Sequence, residues 1–280
     1  MLKLRDGIIE LYKKVAISVP PDVEEAIKKG LSSEEDDRAK DALSNILDTI
    51  RKSRQESRPP CADTGIPIFK VKVPRGLSHP EIANTIREAT ALATRKVPLA
   101  PCAVDIVTGE NSGDNTGIGF PVVYFEEVQD DTLTIDLMLR AGECEQYGQT
   151  YKLPVEELKA GRDLEGVGSC IVDAVKRAAG KGCAPYSVGV GIGGARDQVA
   201  VLAVRQLFRK LPDESEHPAV AELERQVLKE LNGLGIGPMG GGGKTTALGV
   251  KIGVNHRHSD SYLAEVSVAC WANRRGRLIW

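Results

Sequence analysis

The sequence has few aromatic residues, no positive net charge and no long apolar run. Aromatic side chains make up 4% of the 280 residues, and the formal net charge is -2. A chain without a positive surplus has little electrostatic attraction for nucleic acid or anionic membranes. No apolar stretch approaches the roughly 20 residues that cross a bilayer, and charged residues interrupt the first turns too often for a signal peptide. We therefore expect a cytoplasmic protein without nucleic-acid or membrane partners.

Closely spaced cysteine pairs are also missing. This spacing does not fit a small secreted disulfide scaffold, and thiols inside a cell stay reduced. Buried structural thiols are the simplest interpretation of scattered cysteines. Metal or cluster ligation is the alternative if the fold brings three of them together. The six cysteines are Cys61, Cys102, Cys144, Cys170, Cys183 and Cys270.

Glycine is abundant, with 29 residues, and the stretch from Gly233 to Thr246 reads GLGIGPMGGGGKTT. A phosphate-binding P-loop needs a glycine five positions before the Gly-Lys-Thr, where this chain has Pro238. Such a loop also follows a buried strand, whereas the preceding residues have the pattern of a helix end. We predict a nest of backbone N–H groups with Lys244 facing an anionic ligand, and a bare glycine-rich connector is the alternative.

A second glycine cluster matches the letters of a dinucleotide-binding turn. Gly189, Gly191 and Gly194 have the G-x-G-x-x-G spacing between a predicted strand and a predicted helix. That function also needs an acidic residue ending a second strand about 20 positions later, and a helix is predicted there instead. The pattern therefore disfavours a dinucleotide site.

Hydrophobic periodicity predicts an α+β (mixed α/β) fold in a single domain, 1–280. The region 1–55 is predicted to be helical, with a possible capping box formed by Ser32 and Glu35. It precedes a mixed sheet whose glycine-rich loops surround a pocket. Strands are predicted at 66–74, 122–128 and 133–140, with further strands in the tail. Helices are predicted at about 80–95 and 163–179; one more helix follows residue 194, and another ends near residue 232. Cys170 is expected in the core. The long polar loop 100–121 is more typical of a functional segment than of an idle connector.

Five stretches together resemble one family. PPCADTG, TGENSGDNTGIG, GVGIGGARDQVAVLA, LGIGPMGGGGKTTALGVKI and VACWANRR occur in order between residues 5 and 275. They resemble the alpha subunit, or N-terminal catalytic domain, of class I fumarate hydratases and L-tartrate dehydratases.

The resemblance implies a [4Fe-4S] cluster held by Cys61, Cys183 and Cys270. It also implies that Asp63 is the catalytic acid/base carboxylate of a hydro-lyase acting on a hydroxy acid or unsaturated acid. An iron left open by three thiolates is a Lewis acid suited to a departing hydroxide. A smaller beta subunit carrying further catalytic groups is expected, in an (αβ)2 assembly.

Several polar positions in the matching motifs are candidate substrate contacts. For Asp114, Asn115 and Thr116 a purely turn-forming role is the alternative, and Arg274 and Arg275 could offer forked contacts to a carboxylate or form internal salt bridges. The predicted substrate-binding residues are Asp114, Asn115, Thr116, Arg140, Gly142 and Lys244.

The chain departs from the family pattern at substrate-facing positions. Ala62 replaces a glutamine, Ala100 an arginine and Cys102 an asparagine, and the family's KGGGSEN aligns with residues 140–146, which include Cys144. Losing an arginine fork costs affinity for a carboxylate, so a hydroxy acid or unsaturated acid other than tartrate or fumarate is expected. Two alternatives stay open: a cluster protein with sulfur-related chemistry at Cys102 or Cys144, and a non-catalytic paralogue.

Overall fold

The computed structural model of the protein describes residues 1–280 and divides them into two compact units. Unit 1 comprises Met1–Pro20, Thr49–Gly142 and Arg274–Trp280, and unit 2 comprises Pro21–Asp48 and Glu143–Asn273. Seven helices and two mixed sheets confirm the predicted α+β class. None of the helices has the length and apolar character needed to cross a membrane.

The elements follow the hydrophobic periodicity of the sequence. The helices are α1 (Leu2–Ile17), α2 (Pro21–Ser33), α3 (Asp37–Glu56), α4 (His79–Lys96), α5 (Leu164–Ala178), α6 (Arg196–Gln206) and α7 (Pro218–Asn232). The strands are β1 (Ile66–Pro74), β2 (Val122–Val128), β3 (Thr134–Arg140), β4 (Gln149–Lys152), β5 (Tyr186–Ile192), β6 (Ala247–Val254), β7 (Leu263–Ala269) and β8 (Arg274–Ile279).

Unit 1 is built on a sheet with the strand order β2-β1-β3-β8. Strand β1 pairs parallel with β2 and antiparallel with β3, which pairs antiparallel with β8. Helices α1 and α4 pack against each other, and α1 also packs on β3 and β8. Tyr12 lies at the centre of this core, edge-on to Phe69 and hydrogen-bonded to Thr90 at 2.8 Å. The sheet therefore supports the segments that precede β1 and follow β3.

Unit 2 is built on a second mixed sheet, with the strand order β4-β7-β5-β6. Strand β5 is buried along its whole length between β6, which is parallel to it, and β7, which is antiparallel. Helix α6 packs on β5 and β7, and α7 packs on β6 and α5. Cys170 is fully buried in α5, as predicted for a core residue.

The predicted helical region 1–55 is confirmed, but the predicted capping box is wrong. Ser32 lies in the last turn of α2, where its hydroxyl donates to the Lys29 carbonyl oxygen. Asp36, directly before α3, caps that helix instead, because its Oδ1 accepts the N–H of Ala39 at 3.0 Å. A short acidic side chain at this position satisfies one of the free N–H groups of the first turn.

The glycines of β5 serve helix packing. A Cβ added to Gly189 would lie 2.4 Å from the Ala203 carbonyl oxygen, and one added to Gly191 would lie 2.3 Å from that of Val199. Both oxygens belong to α6, so the missing side chains allow the helix to lie directly on the strand. The position about 20 residues after Gly194 lies in the loop before α7, so the helix predicted there is wrong; no strand ends there either, and the dinucleotide site stays disfavoured.

Candidate active site

Asp63 lies in unit 1, between the end of α3 and the start of β1, and both of its carboxylate oxygens are held by backbone N–H groups. Oδ1 accepts from Gly65 at 2.9 Å, and Oδ2 accepts from Gly142 at 2.8 Å. The side chain is half-buried, and each oxygen keeps a second lone pair for another partner. The structure thus joins the predicted catalytic carboxylate to one of the predicted substrate-binding positions, Gly142.

Two buried arginines lie close to this segment in the same sheet. Arg274 is 1% exposed and donates from Nη2 to the Asp63 carbonyl oxygen at 3.0 Å. Arg140 is buried at the end of β3, directly opposite Ile66 of β1. Gly65 has a positive φ, and a Cβ there would lie 2.8 Å from the Arg140 carbonyl oxygen. Only glycine therefore lets the Asp63 turn pass this close to the end of β3.

Asn115 ties the long loop 100–121 together. It is 2% exposed and has a positive φ, a conformation that asparagine tolerates better than most residues. Its Oδ1 accepts the N–H of Cys102 at 2.6 Å, and its Nδ2 donates to Thr94 Oγ1 and to the Ala100 carbonyl oxygen, both at 3.1 Å. These bonds use both ends of the amide, which favours a role in positioning the loop; direct contact with substrate stays a prediction.

Asp114 and Thr116 form a local turn beside Asn115. Asp114 Oδ1 accepts from the Thr116 hydroxyl at 2.7 Å and from the Thr116 N–H at 3.1 Å. The Asp114 carbonyl oxygen accepts from Thr94 Oγ1 at 3.0 Å, which connects the turn to α4. Both side chains remain half-buried, so the turn presents polar groups at the surface of unit 1.

Cys102 lies against the Asp63 turn, with its Sγ 3.6 Å from the Gly65 carbonyl oxygen. Burial and, to a smaller extent, the nearby Asp63 carboxylate raise the pKa of the Cys102 thiol to about 11. A thiol that keeps its proton at neutral pH is a poor nucleophile. This does not favour the alternative of sulfur chemistry at Cys102.

Cys183 and Cys270 adjoin each other in unit 2. The Cys183 carbonyl oxygen accepts the N–H of Trp271 at 3.2 Å, and Cys270 directly follows β7. Cys183 has φ 63, a left-handed conformation that is uncommon for any residue other than glycine. Such backbone outliers concentrate at functional sites, so this one supports a function for the Cys183 segment.

Cys144 is buried beside the same segment, with its Sγ 3.5 Å from the Gly182 carbonyl oxygen. Tyr147 closes the other side: a Cβ on Gly182 would lie 3.0 Å from its ring. Burial raises the pKa of Tyr147, and nearby acidic groups, including the Cys144 and Cys183 thiols, raise it further. Glycine is favoured at position 182, because a side chain there would crowd the Tyr147 ring and would be strained at a φ of +72°.

The glycine-rich segment binds an anion, but the anion belongs to the chain itself. Glu34, 5% exposed between α2 and α3, accepts the N–H of Lys244 at 2.9 Å and the N–H of Thr245 at 3.1 Å. Burial raises the pKa of the Glu34 carboxyl, but the backbone hydrogen bonds outweigh it and the net shift is downward. The Lys244 ammonium lies 2.5 Å from Glu35 in an exposed ion pair. The sequence predicted a nest of backbone N–H groups in this segment but not that Glu34 occupies it. The only signal for Glu34 was a run of acidic residues 210 positions before Lys244.

The surrounding backbone excludes a P-loop. The segment lies between α7 and β6, so it follows a helix and precedes a strand, the reverse of the P-loop order. Asn232, at the end of α7, accepts the N–H groups of Thr246 and Ala247. The function of Lys244 toward a substrate stays a prediction.

The predicted cluster ligands are distributed over the two units. Cys61 is exposed in unit 1, two residues before Asp63, and Cys183 and Cys270 belong to unit 2. No group of three or more His, Cys, Asp or Glu side chains is placed to hold a metal ion. Thiolates are the donors that iron–sulfur clusters take, and in unit 2 the backbone bond from the Trp271 N–H to the Cys183 carbonyl oxygen makes the Cys183 and Cys270 segments neighbours. The donor type of the three residues therefore fits such a cluster.

The fold is of the α+β class: the predicted catalytic carboxylate lies on a loop of unit 1, and Cys183 and Cys270 lie on loops of unit 2. A family model described as fumarate hydratase (Fumerase) matches residues 5–278. The chain belongs to the fumarate hydratase family.

Similar proteins carry the names of fumarate hydratases and tartrate dehydratases. The chain is 42% identical to a protein of Geobacillus stearothermophilus provisionally named a class I fumarate hydratase, with 98% of this chain and 54% of that protein aligned. It therefore spans about half the length of that relative. It is 32% identical to a Methanocaldococcus jannaschii protein provisionally named an L(+)-tartrate dehydratase alpha subunit, aligned over 96% of that protein. It is also 32% identical to the L(+)-tartrate dehydratase alpha subunit of Escherichia coli K12, aligned over 90%.

Proposed function

We propose that this chain is the alpha-type, cluster-bearing component of a hydro-lyase that adds or removes water at a hydroxy-carboxylate. The observation that carries the proposal is the Asp63 carboxylate, held by the N–H groups of Gly65 and Gly142. The family match along residues 5–278 and the hydro-lyase names of the relatives support the reaction class.

Asp63 is proposed to transfer the proton. In dehydration, the carboxylate takes the proton from the carbon next to the substrate carboxylate while hydroxide leaves the neighbouring carbon; hydration runs the same steps in reverse. Two N–H donors fix the carboxylate in one orientation, and fixed geometry of this kind is what proton transfer requires. Arg274, bonded to the Asp63 backbone, positions the turn that carries it.

Cys61, Cys183 and Cys270 are proposed to hold a [4Fe-4S] cluster. When bound, the cluster supplies a Lewis acid for the substrate hydroxyl. Support comes from the motifs around the three cysteines, from the left-handed conformation at Cys183 and from its hydrogen bond to the residue after Cys270.

The substrate is proposed to be a hydroxy acid or unsaturated acid other than tartrate or fumarate, with an added group in the space left by Ala62 and Ala100. Asp114, Asn115, Thr116, Arg140, Gly142 and Lys244 are the proposed contacts or supports for it. A smaller beta-type partner, in an (αβ)2 assembly, is proposed to supply the remaining catalytic groups; the alpha-subunit names of the relatives support it.

Anaerobic reconstitution tests this function. The chain, co-expressed with a beta-type partner, should contain iron and sulfide at four of each per chain, and Cys61→Ser, Cys183→Ser and Cys270→Ser should each lose most of it. Cys170→Ala, a core thiol outside the motifs, is the matched control and should keep the cluster. Fumarate, L-tartrate and substituted hydroxy-dicarboxylates should then be assayed for water addition or loss. A loaded protein whose electron paramagnetic resonance spectrum and activity respond to none of them would contradict the proposal.

A further inference from the structure

The long loop 100–121 exposes four large aliphatic side chains. Val104 is 56% exposed, Val107 89%, Ile106 98% and Ile118 106%. Single exposed aliphatic residues are normal on a protein surface, but a cluster of them on one loop is typical of an interaction site.

The backbone of this loop is held by its own hydrogen bonds. Asp105 Oδ1 accepts the N–H groups of Val107 and Thr108 at 2.8 and 2.9 Å, and the Asp105 N–H donates to the Glu110 carbonyl oxygen at 2.8 Å. Asn111 Nδ2 donates to the Pro101 carbonyl oxygen at 3.1 Å. A loop fixed in this way presents its side chains without a large ordering cost on binding.

The four aliphatic side chains line one cleft. Its volume is about 730 Å³, and Phe120 and Cys102 complete its apolar lining. Apolar side chains grouped around a cleft can pack against those of a partner surface, and binding energy in protein interfaces concentrates in such contacts.

The charges of the loop favour a partner different from the chain itself. The loop carries Asp105, Glu110 and Asp114 and no basic residue. A two-fold contact of this loop with its own copy would place the acidic groups against each other, and like charges in contact are unfavourable. A surface with apolar side chains and a basic rim is complementary.

The loop is anchored to the segment that carries Asp63. Thr64 Oγ1 accepts the Ala100 N–H at 2.9 Å, and Cys102 Sγ contacts the Gly65 carbonyl oxygen. A partner seated on the loop would therefore lie next to the proposed catalytic carboxylate. The relative from Geobacillus stearothermophilus has a large part of its chain outside the aligned region, which is a polypeptide available for this position.

We propose that loop 100–121 is the docking surface for the beta-type polypeptide that corresponds to the unaligned part of that relative. The proposal rests on the proposed function, because that function requires a partner close to Asp63. Ile106 and Val107 are the proposed anchors, and Glu110 lies among the acidic residues that would meet the basic rim.

Binding of a defined polypeptide tests the docking surface. The unaligned part of the Geobacillus stearothermophilus relative is expressed as a separate chain, and its Kd for the full chain is measured by calorimetry. Ile106→Ser with Val107→Ser should weaken binding by about 100-fold or more, because two aliphatic anchors are lost. Glu110→Lys should weaken binding at low salt, and this weakening should disappear at high salt because ions screen the charges. Leu77→Ser, an exposed leucine of the same unit, is the matched control and should leave the Kd unchanged.

Hydrogen exchange should show protection of residues 100–121 in the complex. Absence of binding, protection confined to other segments, or an unchanged Kd in the double variant would overturn the proposal. Sedimentation of the chain alone is an additional test. If the chain forms a dimer and the double variant abolishes that dimer, the loop binds a second copy of the chain, which would also overturn the proposal. An active complex that assembles normally with the double variant would refute the docking surface while leaving the hydro-lyase function intact.

Discussion

The N–H of Gly142 donates to Oδ2 of Asp63 at 2.8 Å across 79 residues of sequence. With the Gly65 N–H on Oδ1, this bond holds a half-buried carboxylate in one orientation at the start of a sheet. The role of the Asp63 carboxylate goes beyond forming a local turn, because its second donor, Gly142, lies just after the end of a different strand, β3. This relationship leads to the first two predictions.

Asp63→Asn should reduce kcat by about 100-fold or more, because an amide cannot take up the proton. The fold should persist, since asparagine can still accept one of the two N–H groups. Steady-state kinetics with thermal unfolding on the same samples checks both statements. Glu126→Gln, an exposed carboxyl of β2, is the control, and a kcat equal to that of the unmodified enzyme would remove Asp63 from the proton transfer.

Gly142→Ala should keep the bond to Asp63 but hinder a substrate that approaches this face. An added Cβ would lie 3.8 Å from Asp63 Oδ2, an ordinary contact, so stability should change by less than about 1 kcal/mol. KM should rise while kcat changes less. Equal KM values for the variant and the unmodified enzyme would show that substrate does not reach Gly142.

Glu34→Gln should lower the free energy of unfolding at neutral pH by about 1–3 kcal/mol, because the N–H groups of Lys244 and Thr245 lose a charged acceptor. The folded-state pKa of Glu34 lies below its unfolded value. Its contribution is therefore complete above the unfolded pKa of about 4.3 and is lost as pH falls through the folded pKa.

Urea unfolding at neutral pH and at successively lower pH values below 4.3 measures this effect. The difference between the unmodified chain and Glu34→Gln should shrink as the medium becomes more acidic. Glu35→Gln is the control: it removes the ion pair with Lys244, in which the Glu35 carboxylate is 79% exposed, and it should lower the free energy of unfolding by less than about 1 kcal/mol. A difference that grows on acidification would contradict the assignment.

Gly237→Ala and Gly235→Ala separate backbone strain from steric conflict in the glycine-rich segment. The φ is +67° at Gly237 and +69° at Gly235, but a Cβ on Gly237 would lie 1.6 Å from the Gly242 carbonyl oxygen, whereas one on Gly235 meets nothing within 4 Å. Gly235→Ala should lower the free energy of unfolding by about 1–2 kcal/mol, and Gly237→Ala should lower it by about 3 kcal/mol or more. Equal unfolding midpoints for the two variants would disprove the tight turn at Gly237.

Local sequence signals predicted the elements well and the role of the glycines poorly. The periodicity of α1, α4 and α5 depends on neighbours three and four positions apart, so the sequence carries it directly. Gly189 and Gly191 resembled a ligand-binding turn because the letters cannot tell whether a ligand or a helix approaches the strand. The predicted capping box at Ser32 was wrong for the same reason. A Ser–Glu pair near a helix boundary can lie at the end of one helix or at the start of the next, and the letters alone do not distinguish the two.

By itself the sequence determined the α+β class, the main helices and strands, the rejection of a P-loop and the family, because hydrophobic period, turn residues and ordered motifs are local properties. Only the tertiary structure decided that Glu34 fills the nest of Lys244 and Thr245, that Gly142 holds Asp63, and that Cys183 adjoins the segment of Cys270. These contacts join residues up to 211 positions apart. Their geometry depends on how sheets and helices pack, and no short stretch of sequence encodes that.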